Sequence, residues 1–486
     1  MTLIAERPAP PARVATTALA RAEARRLWHD PLVWIGIVLA IALCLVWSWT
    51  RMQTWETFHE NTGMGSMVLA AALLLATHMA ASRDQRAGAE ESTRTMPAGP
   101  GRRSIALLVA VPAAAAIGAL VYVVDLVLLL PSGPAGAFDP WTALVPAVVP
   151  AIGAAVGIAV GRALPHPAAG ALTIVGFVGI LFALLMANQS QGDWGNVLFP
   201  VPLFGWGDYG VDYAFEWHLL YLLGLLALAV AAVCREAVPK ASAVIAVVAV
   251  VVSGFAVRRE EAAAPDLSDA GASQPFTTPD MLVCQTHERV RYCALPGYEH
   301  WIEEWRQAVE PVSRLLPADA ERPAIRQISR SDDHRPLTPG HPELVVGDTW
   351  GRLGRWAEDS RTRLMRDYVA TSVGILRRDD LMSWRSCDAG GQHRTVVALW
   401  LLGQVAPAEP LTVPRVRYGS AEADAAASLL AKPQDEVSAH LAGRWSEVLD
   451  PSATALAGLG VTLTPPPIPA EEPEETSFEA DRGVCR

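Results

Sequence analysis

Lysine is almost missing from this chain: only Lys240 and Lys432 stand among its 39 basic residues. A phosphate-cradling P-loop needs Gly-x-x-x-x-Gly-Lys-Ser/Thr, because its lysine reaches the terminal phosphates. The two lysines lie in Val-Pro-Lys-Ala and Leu-Ala-Lys-Pro, so no such loop exists. Any ATP chemistry must reside in another polypeptide. Hydrolytic signatures are missing too. Thr286-His287-Glu288 lacks the second histidine of HExxH, no Gly-x-Ser-x-Gly elbow occurs, and no Cys-x-x-Cys spacing marks a zinc site. His334 and His341 neighbour Asp332 and Asp333, but in a Pro/Gly-rich loop that reads as solvated. The expectation is a chain that is not an enzyme and binds no metal or cofactor itself. Charge is scarce as well, at 18% of residues, against about a quarter in soluble domains. The net charge of −11 belongs mainly to the second half, which argues against a nucleic-acid partner.

What is abundant is aliphatic sequence: 51% of the chain is hydrophobic, and up to Val257 it is dominated by Ala, Val, Leu, Ile and Gly. Crossing roughly 30 Å of hydrocarbon takes about 20 mostly apolar residues. Segments 31–50, 66–82, 104–130, 143–164, 167–188, 215–235 and 241–257 qualify. No cleavable signal peptide is expected, because the run that starts at Pro31 is followed by no small-residue cleavage site. Arginine placement sets the orientation. With the N-terminus inside, the cytoplasmic segments hold Arg7, Arg13, Arg21, Arg25, Arg26, Arg83, Arg86, Arg94, Arg102, Arg103, Arg162, Arg235 and Lys240. The short outer loops hold only Arg51. Seven spans then put the C-terminal domain outside. Arg258 and Arg259 run against this rule, and the last span is short. If it does not cross, that domain is cytoplasmic.

Cysteine usage bears on the same point. Cys44 and Cys234 lie in spans, whereas Cys284, Cys293, Cys387 and Cys485 all lie in the C-terminal domain. An even set in an extracytoplasmic domain reads as disulfides. Residues 281–295 look like two strands around a turn near 287–290, which sets Cys284 opposite Cys293. Cys485 then pairs with Cys387 and clips down the chain end. Residues 298–316 place Trp301, Trp305, Val309 and Val312 on one helical stripe, and further helices are expected over 360–376, 393–405 and 421–449. Residues 258–280 read as a linker and 465–475 as an extended Pro/Glu-rich stretch. The fold class is thus an α-helical polytopic membrane protein of about seven transmembrane helices. A mainly helical, disulfide-containing α+β ectodomain covers 281–486.

The most informative stretch is 83–103, RDQRAGAEESTRTMPAGPGRR. Before the first span, residues 12–29 have helix-forming composition with arginines beside Leu27 and Trp28, fit for an interfacial amphipathic helix within a cytoplasmic segment 1–30. After the second span come Arg83, Asp84, Arg86, Gly88, Glu90 or Glu91, Pro97 and the pair Arg102–Arg103. This arrangement resembles the permeases of the ABC type-2 exporter superfamily, with Asp84 standing where Glu is commoner. The resemblance covers 12–235 and stops before the seventh span and the ectodomain. It implies that 83–103 is the coupling loop that seats in a separate cytoplasmic ATPase subunit, where ATP and magnesium bind. It also implies a second permease copy or a homologous permease, a membrane-lipid environment, location in the plasma membrane, and export of hydrophobic or amphipathic compounds. A different reading of the same chain is a non-transporting sensor or envelope scaffold with a ligand-binding ectodomain.

Within the spans, Asp125 is the clearest functional pointer, since intramembrane charge is costly. His78 and His218 are its candidate partners. Pro112, Pro146 and Pro150 are expected to interrupt the third and fourth helices.

Overall fold

The structure is a computed structural model. It describes residues 12–88, 100–191, 197–202, 214–263, 279–328, 336–347, 349–376, 386–407, 412–413, 415–464 and 484–485. Glu90, Glu91, Pro97, Arg94 and His334 lie outside these. The chain divides into two compact units, one holding the helices up to Ala263 and the other the described residues from Pro279 onward.

The first unit is all helical among the described residues: α1 (Ala12–Trp28), α2 (Pro31–Trp49), α3 (Trp55–Arg86), α4 (Pro100–Leu107), α5 (Ala110–Leu129), α6 (Val145–Ala163), α7 (Pro167–Gln191), α8 (Phe215–Cys234) and α9 (Pro239–Ala263). Seven helical segments are long and apolar enough to cross a membrane. Their limits depart from the hydropathy reading in three places. The second begins at Trp55 rather than 66, because Thr54 and Thr57 form a capping box that starts the helix ahead of its apolar run. At 32 residues it is about 48 Å long. The third run is broken into α4 and α5. Pro112 has no N–H to give Leu108, so the Leu108 carbonyl accepts from Val111 at 3.0 Å instead and the chain turns there. Pro146, by contrast, sits harmlessly in the first turn of α6, and only Pro150 lies inside that helix. The last helix is no short stub: α9 runs 25 residues, through Arg258 and Arg259.

The centre of this unit is the contact of α6 with α3. Gly153, Gly157 and Gly161 recur every fourth residue and form a bare stripe on α6. A Cβ at these positions would stand 2.4 Å from the Ala70 carbonyl oxygen, 2.3 Å from that of Leu74 and 2.7 Å from that of His78. The two backbones therefore touch, as small residues permit in apolar surroundings. Thr77 Oγ1 lies 3.0 Å from the Ala154 carbonyl across the seam and 2.7 Å from the Leu73 carbonyl of its own helix, so its one proton is shared between the two helices. At the rim, α7 and α9 are apolar nearly all round. Leu172 and Val175 are each 67% exposed, the pattern of helices that face an apolar surrounding rather than water.

The second unit carries a four-stranded sheet of β1 (Val283–His287), β2 (Val290–Ala294), β3 (Ala324–Gln327) and β4 (Glu343–Val346) in that order. The first pair is antiparallel, and the other two are parallel. Glu288 and Arg289 both take positive φ, the conformation a two-residue hairpin turn demands. Cys284 and Cys293 fall opposite one another and are disulfide-bonded. Helix α10 (Trp301–Ser313) packs on the sheet with Trp301, Trp305, Val309 and Val312 fully buried. Next come α11 (Gly354–Ser372), β5 (Cys387–Asp388), α12 (His393–Val405) and β6 (Val416–Arg417). The single helix expected over 421–449 is three: α13 (Ser420–Leu430), α14 (Gln434–Leu441) and α15 (Trp445–Leu449). Pro433 and the positive-φ Gly443 stand at the breaks.

The chain end is held in this unit from several sides. Cys485 is disulfide-bonded to Cys387, and its N–H donates to the Asp388 carbonyl at 2.9 Å. The buried guanidinium of Arg394 donates to the Cys485 carbonyl at 2.6 Å. One turn of this core is pH-sensitive. His393 Nδ1 accepts from the Leu456 N–H at 2.9 Å, so the ring is unprotonated there, and burial lowers its pKa. The unfolded chain then takes up a proton at about pH 6.5 that the folded chain refuses.

Two predictions follow from these contacts. Gly157→Val lowers the stability of the detergent-solubilised chain by about 1–3 kcal/mol or more, read from thermal unfolding. Gly176→Val, at an α7 position with open space around it, leaves the midpoint unchanged. Stability of the second unit falls as pH drops below about 6.5 and levels off below the folded-state pKa. His393→Asn, whose side-chain oxygen can keep the Leu456 bond, removes that slope in denaturant titrations followed by near-UV circular dichroism.

Candidate functional site: a charged collar and a buried carboxylate

The C-terminal turn of α3 carries Arg83, Asp84 and Arg86, with both arginines favourably placed at the negative end of the helix dipole. These side chains tie three elements together. Glu23, nearly buried on α1, accepts from Arg83 at 2.9 Å and from Arg26 of its own helix at 3.3 Å. Asp84 pairs with Arg103 of α4 and lies 3.8 Å from Arg83. Arg86 donates to the Met79 carbonyl at 3.1 Å. Gly88 has positive φ and ends the described part of the segment. Farther round the same end, Arg162 of α6 reaches Glu236, between α8 and α9, at 3.2 Å. A cavity of about 220 Å³ opens inside this collar, with Glu23, Arg26 and Arg83 at its rim and Leu107, Ala110 and Ile158 at its floor.

The collar's value is its connectivity. The chain leaves α3 at Arg86 and re-enters the bundle at α4, and the Asp84–Arg103 pair bridges the two ends of that excursion. Through Glu23 the same network also reaches α1. Sequence reading singled out Arg83, Asp84 and Arg86 but missed Glu23. The signal was present: one acid within an otherwise basic helix, whose neighbours are Arg21, Arg25 and Arg26.

At the other end of α3 lies a second polar layer. Asp125 of α5 is 1% exposed, and neither carboxylate oxygen has a hydrogen-bond partner of ordinary geometry among the described residues. The Cys44 thiol of α2 lies beside it. One turn away, Tyr122 Oη stands 3.3 Å from His59 Nε2, and His59 Nδ1 stands 2.7 Å from Thr142 Oγ1. Asn61 donates to Ser48 Oγ at 3.2 Å and so links α3 to α2. The expected partners of Asp125 are engaged elsewhere. His78 Nε2 meets the His166 carbonyl at 3.2 Å, and His218 Nδ1 meets Glu260 at 3.1 Å. His59 and Tyr122 went unread because His59 precedes the apolar run and Tyr122 looks ordinary inside one.

The four cysteines of the second unit form two disulfides within that unit. Among the described residues, no group of three His, Cys, Asp or Glu side chains is arranged to hold a metal ion. No protein-family model, curated protein or solved structure matches this chain.

Reversal of one collar charge tests the bridge. Asp84→Arg lowers stability by about 1–2 kcal/mol, between the values for exposed and buried pairs. The double change Asp84→Arg with Arg103→Asp recovers at least half of that loss in a double-mutant cycle of thermal unfolding.

Proposed function

We propose that this chain is an integral membrane protein and the permease subunit of an ATP-driven exporter of the ABC type-2 kind. The observation that carries the reading is the collar. The end of α3 and the start of α4, which flank the charged sequence 89–99, are ion-paired to each other through Asp84 and Arg103, and α3 is paired to α1 through Arg83 and Glu23. That is the mechanical arrangement a coupling loop needs. Seven long apolar helices support membrane embedding. The arginine distribution supports a cytoplasmic N-terminus, and two disulfides support an extracytoplasmic second unit.

In this reading the work is divided between polypeptides. A separate cytoplasmic subunit binds ATP with magnesium, closes around it, and reopens after hydrolysis. The loop holding Glu90 and Glu91 sits in that subunit, and its displacement moves α3, α4 and α1 as one body. Two permease copies, or this chain with a homologous one, enclose a path for an amphipathic substrate. The bundle alternates between inward and outward access as the ATPase biases one state over the other. Asp125, buried at the far end of α3, serves as a polar contact on that path or at its gate.

The test is capture of the tagged full chain from its native membrane. A nucleotide-hydrolysing polypeptide co-purifies with the wild type and is lost, at least tenfold, from the Glu90→Lys/Glu91→Lys variant. Absence of any such polypeptide overturns the exporter reading and favours the sensor or scaffold. Labelling of reduced Cys284 and Cys387 by a membrane-impermeant maleimide on intact cells checks the topology independently.

A further inference from the structure

The cavity within the collar has a chemistry that the coupling role does not use. Its rim presents three guanidiniums, Arg26, Arg83 and Arg86, against two carboxylates, Glu23 and Asp30. Both carboxylates are already engaged: Glu23 by Arg83 and Arg26, and Asp30 by the Leu32 N–H it caps at 2.9 Å. Among the described residues Arg86 donates to a backbone carbonyl, that of Met79. Glu23 equally engages Arg26 and Arg83, so it is the one surplus positive charge of the lining, three arginines against two carboxylates, that favours an anion. The floor is apolar, and alanines at 76, 80 and 110 leave the space open. At about 220 Å³ the cavity is smaller than the roughly 300–1,000 Å³ of a site that encloses a whole small molecule. It fits part of a ligand: a charged head and the first stretch of an apolar tail.

The neighbouring surface says where that ligand comes from. Trp28 and Trp34 stand at the corner of α1 and α2, both about half exposed. Their rings meet edge to face at 5.1 Å, and the Trp34 indole N–H donates to the Trp28 carbonyl at 2.8 Å. Exposed tryptophan beside arginine is the signature of the headgroup level of a bilayer. Below them the outer faces of α2 remain apolar and exposed at Ile35, Val38 and Leu39. A free phosphate would satisfy the rim but leave the floor uncovered. A lipid satisfies both.

We propose that an anionic phospholipid binds in this cavity, its phosphate on Arg26, Arg83 and Arg86 and the start of one acyl chain on the accessible apolar lining at Met79 and Ala80. The inference rests on the membrane-embedding part of the proposed function, not on the exporter part. Because Arg26 lies on α1 and Arg83 and Arg86 on α3, the lipid braces α1 against α3.

Native mass spectrometry of the full chain in detergent decides it, with phosphatidylglycerol, phosphatidylcholine and inorganic phosphate added in parallel. Expected is retention of one phosphatidylglycerol with about tenfold preference over phosphatidylcholine, the scale of a charge-assisted contact. Arg86→Ala abolishes the preference and Arg86→Lys keeps part of it. Ala80→Leu, at a lining position that is only partly buried, narrows the cavity and lowers phosphatidylglycerol retention several-fold. Equal retention of the two lipids, or displacement of phosphatidylglycerol by millimolar phosphate, overturns the site. So does unchanged preference in Arg86→Ala. Recovery of the chain in the soluble fraction after lysis overturns the membrane reading instead, a distinct result.

Discussion

The seam between α3 and α6 sets the terms for everything else in the helical unit. Three glycines at every fourth position let the α6 backbone rest on the carbonyls of Ala70, Leu74 and His78. In the proposed membrane setting no hydrophobic drive brings helices together, so close packing and interhelical hydrogen bonds carry the association. The Thr77 hydroxyl, shared between the Leu73 and Ala154 carbonyls, adds a bond of that kind at the middle of the seam. Gly118 continues the theme where α5 meets the start of α6: a Cβ there would lie 2.2 Å from the Pro146 carbonyl. Larger side chains at these places would part the helices and dissolve the layers above and below.

With α3 fixed by its middle, its two ends become stations for polar chemistry. One end holds Arg83 and Asp84, which gather α1 and α4 into the collar. The other end holds His59 and Asn61, which gather Tyr122, Thr142 and Ser48. The helix is long enough to serve both because its capped start at Thr54 lies well outside its apolar stretch. A helix limited to its apolar run would reach the collar but not the polar layer.

The second unit follows the rules of a small domain stapled by disulfides. A tight ion ladder runs over α10, where Arg306 and Arg314 meet Glu303, Glu310 and Glu288. Beneath it the tryptophans of the same helix fill the core. Cys485 is retained by Cys387 and by the buried Arg394, so its position is set by a covalent bond and hydrogen bonds together.

Much of this was legible residue by residue. The hairpin register that faces Cys284 with Cys293 follows from strand alternation, and the buried stripe of α10 follows from helical periodicity, because both are local geometry. The runs of apolar residues were equally plain, since hydropathy sums over neighbours in the chain. What only the tertiary structure decided is pairing across distance. Glu23 meets Arg83 and Asp84 meets Arg103, while His78 and His218 turn away from Asp125 to partners of their own. Such contacts depend on which helix faces lie together. That choice was made by three glycines whose meaning lies in the side chains they lack.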